Sequence, residues 1–348
     1  MRAPRSNGVE WNGIVNDKRD KASEANPAQL HKKMLQLLSS LWVTRAVGTF
    51  ARLGLADVMV DGVEDHAAIA AARGLVPDRV YRLLRALSTV GVVSEPARGR
   101  FALTPLGRLL STHAPNNTRT TAIFLNDYFA DMWSHLDDAL TGECTAFEAL
   151  KGRPFFDWLG EHPDEARRFN RMMLEVHGPE TPAIVAAYDF SQCKHIVDVG
   201  GGNGSLLAEL LKSHPELRGI VFDLPETTRD ESLFGDGLEF VAGSFFERVP
   251  EGDAYLLATI LHDWDDESAT KILHTIRAAA PRHARLVILD AVVPPGNEPF
   301  GPKWLDLLML TLFAGRERDE EQWRALLADG GFEPVRFDER LIEARCRS

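Results

Sequence analysis

The apolar positions change period along the chain. From Pro27 they follow a helix: Leu30, Met34, Leu37, Leu38, Leu41 and Trp42 recur at three-four spacing, and the run continues through Val47, Phe50, Leu53 and Leu55. A long apolar helix with no sheet to pack on points to an interaction surface rather than a monomer core. Residues 57–110 then read as a small unit. A short helix begins near Asp65 and stops at Gly74, and a second carries Val80, Leu83, Leu84, Leu87 and Val90 on one face. Two strands, 91–95 and 99–104, flank a turn containing Pro96 and Gly99. Helix, turn, helix and hairpin resemble a winged helix, which serves DNA binding in some proteins and dimerisation in others.

Residues 115–188 are again helical in pattern and rich in Trp133, Phe147, Phe155, Phe156, Trp158, Phe169, Met172 and Met173. At helical spacing such residues usually pack, though a segment here can also wall a pocket. After His195 the period alternates between β and α. Strand candidates are 195–199, 219–224, 238–242, 254–261 and 285–292, with 333–338 and 341–345 as an antiparallel edge pair. This predicts an α/β fold: a doubly wound sheet in the C-terminal half, preceded by a helical and winged-helix domain. We expect a loosely packed tail over 1–25, a dimerisation domain over 26–112, a helical linker and pocket segment over 113–190, and a catalytic domain over 191–348.

Composition narrows the function. A net charge of −12 over 348 residues argues against general affinity for nucleic acid or anionic membrane. It favours the dimerisation reading of the winged helix over DNA binding. Cys144, Cys193 and Cys346 lie far apart with no metal-ligand spacing, as reduced thiols do in a cytoplasmic protein. No leader pattern is evident, and the strongest apolar run, Trp304 to Phe313, is interrupted by Asp306 and too short to span a bilayer. It is expected to be a buried helix.

The chemistry centres on His195-Ile196-Val197-Asp198-Val199-Gly200-Gly201-Gly202-Asn203-Gly204, followed by a helical run and by Ile220-Val221-Phe222-Asp223-Leu224. Strand, glycine turn, helix and a second strand ending in an acid open a nucleotide-binding βαβ unit. A dinucleotide fingerprint needs a sixth-position glycine, but from Gly200 that position is Ser205, and from Gly202 it is Leu207. No P-loop is present. What stands is D-x-G-x-G-x-G, Asp198 to Gly204, which resembles motif I of the class I methyltransferases that bind S-adenosylmethionine. The acid at Asp223 suits ribose hydroxyls.

Leu261-His262-Asp263-Trp264-Asp265-Asp266 narrows the resemblance further. With the glycine loop and Phe222-Asp223-Leu224-Pro225, it resembles the small-molecule O-methyltransferases, including plant phenylpropanoid and flavonoid enzymes and bacterial enzymes that tailor aromatic polyketides and antibiotics. That resemblance implies S-adenosyl-L-methionine as cofactor, S-adenosyl-L-homocysteine as product, no metal, an aromatic acceptor and a homodimer formed by the N-terminal domain. It implies His262 as the general base that takes the acceptor's phenolic proton. The family's two carboxylates correspond to Asp290, after Val287-Ile288-Leu289, and to Glu317, in Gly315-Arg316-Glu317-Arg318. Both are implied to serve catalysis by fixing the base.

Cofactor contacts are implied for Asp198, Gly200, Gly201, Gly202, Asp223, Leu224, Ser244, Phe245 and Trp264. Ser244 replaces the acid usual in the family, and Ala258 replaces a lysine of the plant members. Acceptor contacts are implied for Trp133, Phe169, Met173, Asp263, Asp306 and Met309, the Phe and Met coming from Phe169-Asn170-Arg171-Met172-Met173. Methionines adapt to irregular shapes and make favourable sulfur–ring contacts, as a flat aromatic acceptor requires. The alternatives are a methyltransferase-fold enzyme with N-methylation or decarboxylation and hydroxylation chemistry, a winged-helix DNA-binding regulator, and, disfavoured by the glycine pattern, an NAD enzyme.

Overall fold

Helix Pro27–Arg52 begins where the apolar period does. Pro27 stands at its first position, and the Asn26 side chain accepts the Ala28 amide at 2.9 Å. Of its 26 residues only Gly48, Phe50 and Ala51 are buried, whereas Leu38 is 67% and Trp42 74% exposed. The computed structural model describes residues 26–347 apart from 61, 63, 143, 226, 228–230 and 236, so the tail expected over 1–25 lies outside the described residues. The described residues divide into two units, one holding residues 26–131 together with Arg171–Pro179, the other Met132–Asn170 together with the chain from Glu180 onward.

In the first unit, Asp65 caps helix His66–Ala72 by accepting the Ala67 and Ala68 amides. Helix Pro77–Ser88 follows and buries Val80, Leu84 and Leu87. Val90, expected on the same face, is 39% exposed, because the helix has already ended at Ser88. Strands β1 (Val93–Ala97) and β2 (Arg100–Leu103) form the expected antiparallel hairpin, with Val93 opposite Leu103. Phe50, Leu55, Ile69, Leu84 and Phe101 form the common core of these elements.

The second unit holds one seven-stranded sheet. Its strands are β3 (His195–Val199), β4 (Arg218–Asp223), β5 (Leu238–Ala242), β6 (Ala254–Ala258), β7 (Arg285–Leu289), β8 (Phe332–Phe337) and β9 (Ile342–Cys346), in the order β5-β4-β3-β6-β7-β9-β8. The first five are parallel, and β9 and β8 add antiparallel at one edge. Alternate residues of β6 divide between two cores: Tyr255 and Leu257 pack with Ile272 and Trp323, Leu256 with Val185 and Leu207. Both faces are therefore covered, as a parallel sheet requires. Strand order reverses between β3 and β6, so a crevice opens at their carboxyl ends.

Two strands are shorter than their apolar runs suggest. The chain leaves β6 after Ala258, because Thr259 takes a left-handed φ of 55°. It leaves β7 after Leu289, which puts Asp290 just past the strand end. Helix Pro302–Leu312 is not wholly buried as expected: Met309, Thr311 and Leu312 face inward, while Trp304 is 58% exposed. No described helix is long and apolar enough to cross a membrane.

Candidate active site

The glycine loop is the first component at the crevice. Gly200, Gly202 and Gly204 take φ values of 74°, 57° and 87°, and helix Ser205–Ser213 starts directly after them. Asp223, at the end of β4, shapes this loop. Its Oδ2 accepts the Gly202 amide at 2.8 Å, while Oδ1 accepts the Leu224 amide and the Thr227 hydroxyl, each at 2.7 Å. Each carboxylate oxygen has two acceptor positions, so Oδ2 retains one. Asp198 is different. It is buried within β3, and no described donor reaches its Oδ2. Burial first, and the Asp223 charge second, push its carboxyl up to about 7.

Ser244 accepts the Phe246 amide at 3.2 Å and so caps the turn after β5. Leu224 is 41% exposed at the rim. Trp264 is the hub of an aromatic group: Phe245 and Phe246 meet it edge-on at 5.9 and 4.8 Å, and Phe156 stacks on it at 5.9 Å with ring planes 19° apart. The row continues from Phe156 to Phe313, from Phe313 to Phe155, and from Phe155 to Phe169 at 5.1 Å. Phe169 and Trp264 thus belong to one continuous set of rings.

The second component surrounds His262, which lies in the 3₁₀ turn Leu261–Asp263. The acidic run that follows divides its work. Asp263 faces the histidine, Asp265 caps helix Asp266–Ala279 by accepting the Ser268 amide, and Asp266 pairs with Arg316 and Arg318. His262 Nδ1 lies 2.6 Å from Glu317 Oε1, and Nε2 lies 3.4 Å from Asp263 Oδ1. Glu317, rather than Asp290, is therefore the acid that fixes the ring. Asp290 is buried nearby; neither of its oxygens has a partner in hydrogen-bond geometry, though the Leu261 amide lies close enough to favour its charge.

The charges around His262 are strongly coupled. Burial alone would lower its pKa, but Asp263, Asp290 and Glu317 together overcome this and hold the ring up to about 10. Burial pushes Asp263 up to about 7 and Asp290 up to about 6, and the His262 charge restrains both. One cation is thus shared by several carboxyls in a site with little water to screen them.

The expected acceptor residues fall in different places. Asp306 uses Oδ1 to accept the Glu317 amide at 2.8 Å, and it lines a cavity together with Leu310 and Glu317. Met309, on the same helix, is 3% exposed. Trp133 begins the 3₁₀ turn Trp133–His135 and is 38% exposed. Met173 is half-buried and belongs to the other unit. Phe246, Phe313 and Arg318 belong to this neighbourhood but were not singled out for the site from the sequence, whereas Phe156 stands in the aromatic group read as able to wall a pocket. The aromatic residues gave no spacing signal, because their rings meet across four separate segments. Arg318 did give one, being adjacent to Glu317.

A family model described as an O-methyltransferase domain matches residues 133–333, and one described as an O-methyltransferase dimerisation domain matches residues 35–113. The chain is 37% identical over 336 residues to the phenazine O-methyltransferase PhzM of Lysobacter antibioticus, covering 93% of this chain and 98% of that one. The solved structure of LaPhzM superposes with a TM-score of 0.86 at 36% identity, covering 91% of this chain and 99% of that one. That of CalO1, a methyltransferase of calicheamicin biosynthesis in its SAH-bound form, superposes with a TM-score of 0.80 at 30% identity, covering 93% and 100%.

Proposed function

Because the chain belongs to the O-methyltransferase family, we propose that it methylates a phenolic or enolic hydroxyl of an aromatic acceptor, with S-adenosylmethionine as donor and His262 as general base. The coarser reading, an O-methyltransferase of the phenazine and antibiotic-tailoring type, rests on the relatives. It does not favour the DNA-binding regulator, the nicotinamide enzyme or the other methyltransferase-fold chemistries. The observation that carries the finer reading is the 2.6 Å contact between His262 Nδ1 and Glu317. It occupies one ring nitrogen and directs the other, Nε2, to the work of a base.

The residues present fit the cofactor. Asp198 holds a buried oxygen with no protein donor, which suits an ammonium group. Asp223 retains an acceptor position for a ribose hydroxyl, and Gly202 has open space where a side chain would stand. Phe245 and Trp264 offer aromatic faces to an adenine. Bound there, the cofactor supplies an electrophilic methyl on a sulfonium. The chain's own part is to bind, orient and deprotonate. In its neutral form, the state that must be reached before transfer, His262 takes the acceptor proton at Nε2, and Glu317 holds the ring so that this nitrogen stays aimed. Asp263 and Asp290 stabilise the imidazolium that results. Asp290 and Glu317 act through His262, so we class them as positioning residues.

The acceptor is proposed to meet the row of rings from Phe169 to Trp264. The homodimer is proposed to form through helix Pro27–Arg52, supported by its exposed apolar face and by the dimerisation-domain match. The test is His262→Ala assayed with a hydroxyphenazine, alongside calorimetry with S-adenosylhomocysteine. Collapse of methyl transfer with retained S-adenosylhomocysteine binding is expected, and full methyl transfer by the variant overturns the base assignment.

A further inference from the structure

Arg318 is the one large cation buried completely among the described residues, with 0% of its side chain exposed. Burying a guanidinium is costly unless every donor is used. Here the donors are spent on the base's own turn. Nη1 donates to the Leu261 carbonyl at 2.8 Å, and Nη2 donates to the Trp264 carbonyl at 2.9 Å. These carbonyls bracket His262 and Asp263 on either side. Nε and Nη2 also reach Asp266 Oδ1, at 3.0 and 2.8 Å. The guanidinium lies 5.3 Å from the centre of the Trp323 ring, which closes its far side.

The backbone around Arg318 grips the same turn. The Arg316 amide donates to the His262 carbonyl at 2.8 Å. Gly315 packs so closely there that a Cβ would stand 2.1 Å from the His262 oxygen. Arg318 itself bridges to Val292 beyond β7, and the Val293 amide donates to its carbonyl at 2.9 Å. Among the described residues of this unit, two that are not glycine adopt left-handed backbone: Thr259 at φ 55° and Ala314 at φ 60°. Each stands three residues before one member of the His262–Glu317 pair. Such conformations persist only where the surroundings over-determine them, and they concentrate at functional sites.

We infer that Arg318 is a positioning residue for catalysis: its guanidinium clamps the turn that carries His262 against the segment that carries Glu317. This rests on the base reading for its catalytic meaning, but not for its geometry. Alternative duties for Arg318 do not match its contacts. No phosphate or carboxylate ligand can reach a side chain with no exposed surface, and a purely structural cation would not need both carbonyls that flank the histidine. An Arg-to-Lys change is not conservative at such a site, because one ammonium cannot span the two carbonyls and Asp266 in a fixed plane.

The test compares Arg318→Gln, Arg318→Lys and Asp266→Asn with the unaltered protein. Asp266 is half-exposed, so its substitution loosens the clamp without opening the core. Three measurements are made: kcat and KM with a hydroxyphenazine, S-adenosylhomocysteine affinity by calorimetry, and the low-field proton resonance of the His262–Glu317 hydrogen bond, assigned by its loss in His262→Ala. Arg318→Gln is expected to lower kcat about 100-fold, on the scale of a misplaced catalytic group, and to broaden or shift that resonance, with S-adenosylhomocysteine affinity within about threefold. Arg318→Lys and Asp266→Asn should give smaller changes in the same two readouts. An unaltered resonance and kcat in Arg318→Gln overturns the inference, as does an unaltered resonance in Asp266→Asn should the Gln variant not fold. Full methyl transfer by His262→Ala would instead overturn the base reading, and the resonance would still report whether Arg318 holds the pair.

Discussion

The crevice is built in two ways. On the β3–β4 side, a glycine turn and one acid, Asp223, shape each other within 22 residues of sequence, largely through backbone amides. On the β6–β7 side, His262, Asp290, Glu317 and Arg318 converge from segments up to 56 residues apart, through buried charges. The first arrangement costs little to hold, because amides are always present to donate. The second depends on every charge finding a partner, and in a low-dielectric site the loss of one is felt by all the others.

That contrast is tested most severely at His262. Its replacement by Ala should lower kcat by about 1,000-fold, in the range of a general base, while S-adenosylhomocysteine affinity changes by less than about threefold. Steady-state kinetics and calorimetry would show whether the two sides separate so cleanly. Glu317→Gln should cost about 10–100-fold in kcat, as loss of an orienting partner does, because the amide holds the ring without charge.

A subtler break comes from pH. With His262 held up to about 10, the imidazole is protonated in the free enzyme at neutral pH, so kcat/KM should rise with pH toward a limb well above the ordinary histidine value. Asp290→Asn removes one of the charges that raise it, and should move that limb to lower pH by roughly one unit. An acceptor's own phenol cannot mimic this shift, since it would titrate alike in both enzymes. A limb that stays in place in the variant would remove Asp290 from the cluster.

On the glycine-loop side the prediction concerns stability. Asp198 is raised to about 7, so its contribution is fully present below about 3.8 and is lost as pH rises toward 7. Asp198→Asn should therefore stabilise the fold at pH 8, by up to about 4 kcal/mol, seen as a raised thermal midpoint, and leave it nearly unchanged at pH 4. The same variant should weaken S-adenosylhomocysteine binding, because the buried acceptor loses its charge. The smallest expected effect is that of Ser244→Asp. A charged cap in place of a hydroxyl should tighten S-adenosylhomocysteine binding no more than about fivefold, on the scale of one charge-assisted hydrogen bond.

Legibility in the sequence follows the same division. The glycine loop, Asp223 and the succession of strands were readable because turn chemistry and alternation are local. The pairing of His262 with Glu317 rather than Asp290 was not, since both acids stand at plausible spacings and only packing decides between them. Asp306 reads as a pocket residue from the apolar helix that carries it, and it does line a cavity, but its bond to the Glu317 amide leaves no signal in the sequence. Of the aromatic row from Phe169 to Trp264, the sequence picks out Phe155, Phe156 and Phe169 as a group able to wall a pocket, but not which rings meet, since ring contacts between segments depend on how those segments dock. The strand ends at Ala258 and Leu289 were overrun in the sequence reading because the apolar character persists after the backbone has turned away.

Helix Pro27–Arg52 has a consequence for how this enzyme must be handled. Its leucines and Trp42 lie open on the protomer. In the proposed homodimer a second copy covers them; folding and association would then become one equilibrium, and every tenfold dilution would remove about 1.4 kcal/mol of apparent stability from that assembly. Specific activity then ceases to be a constant of the chain. At the low concentrations of a sensitive assay it should decline with dilution and recover on concentrating, and a melting temperature is meaningful only with the protein concentration stated beside it.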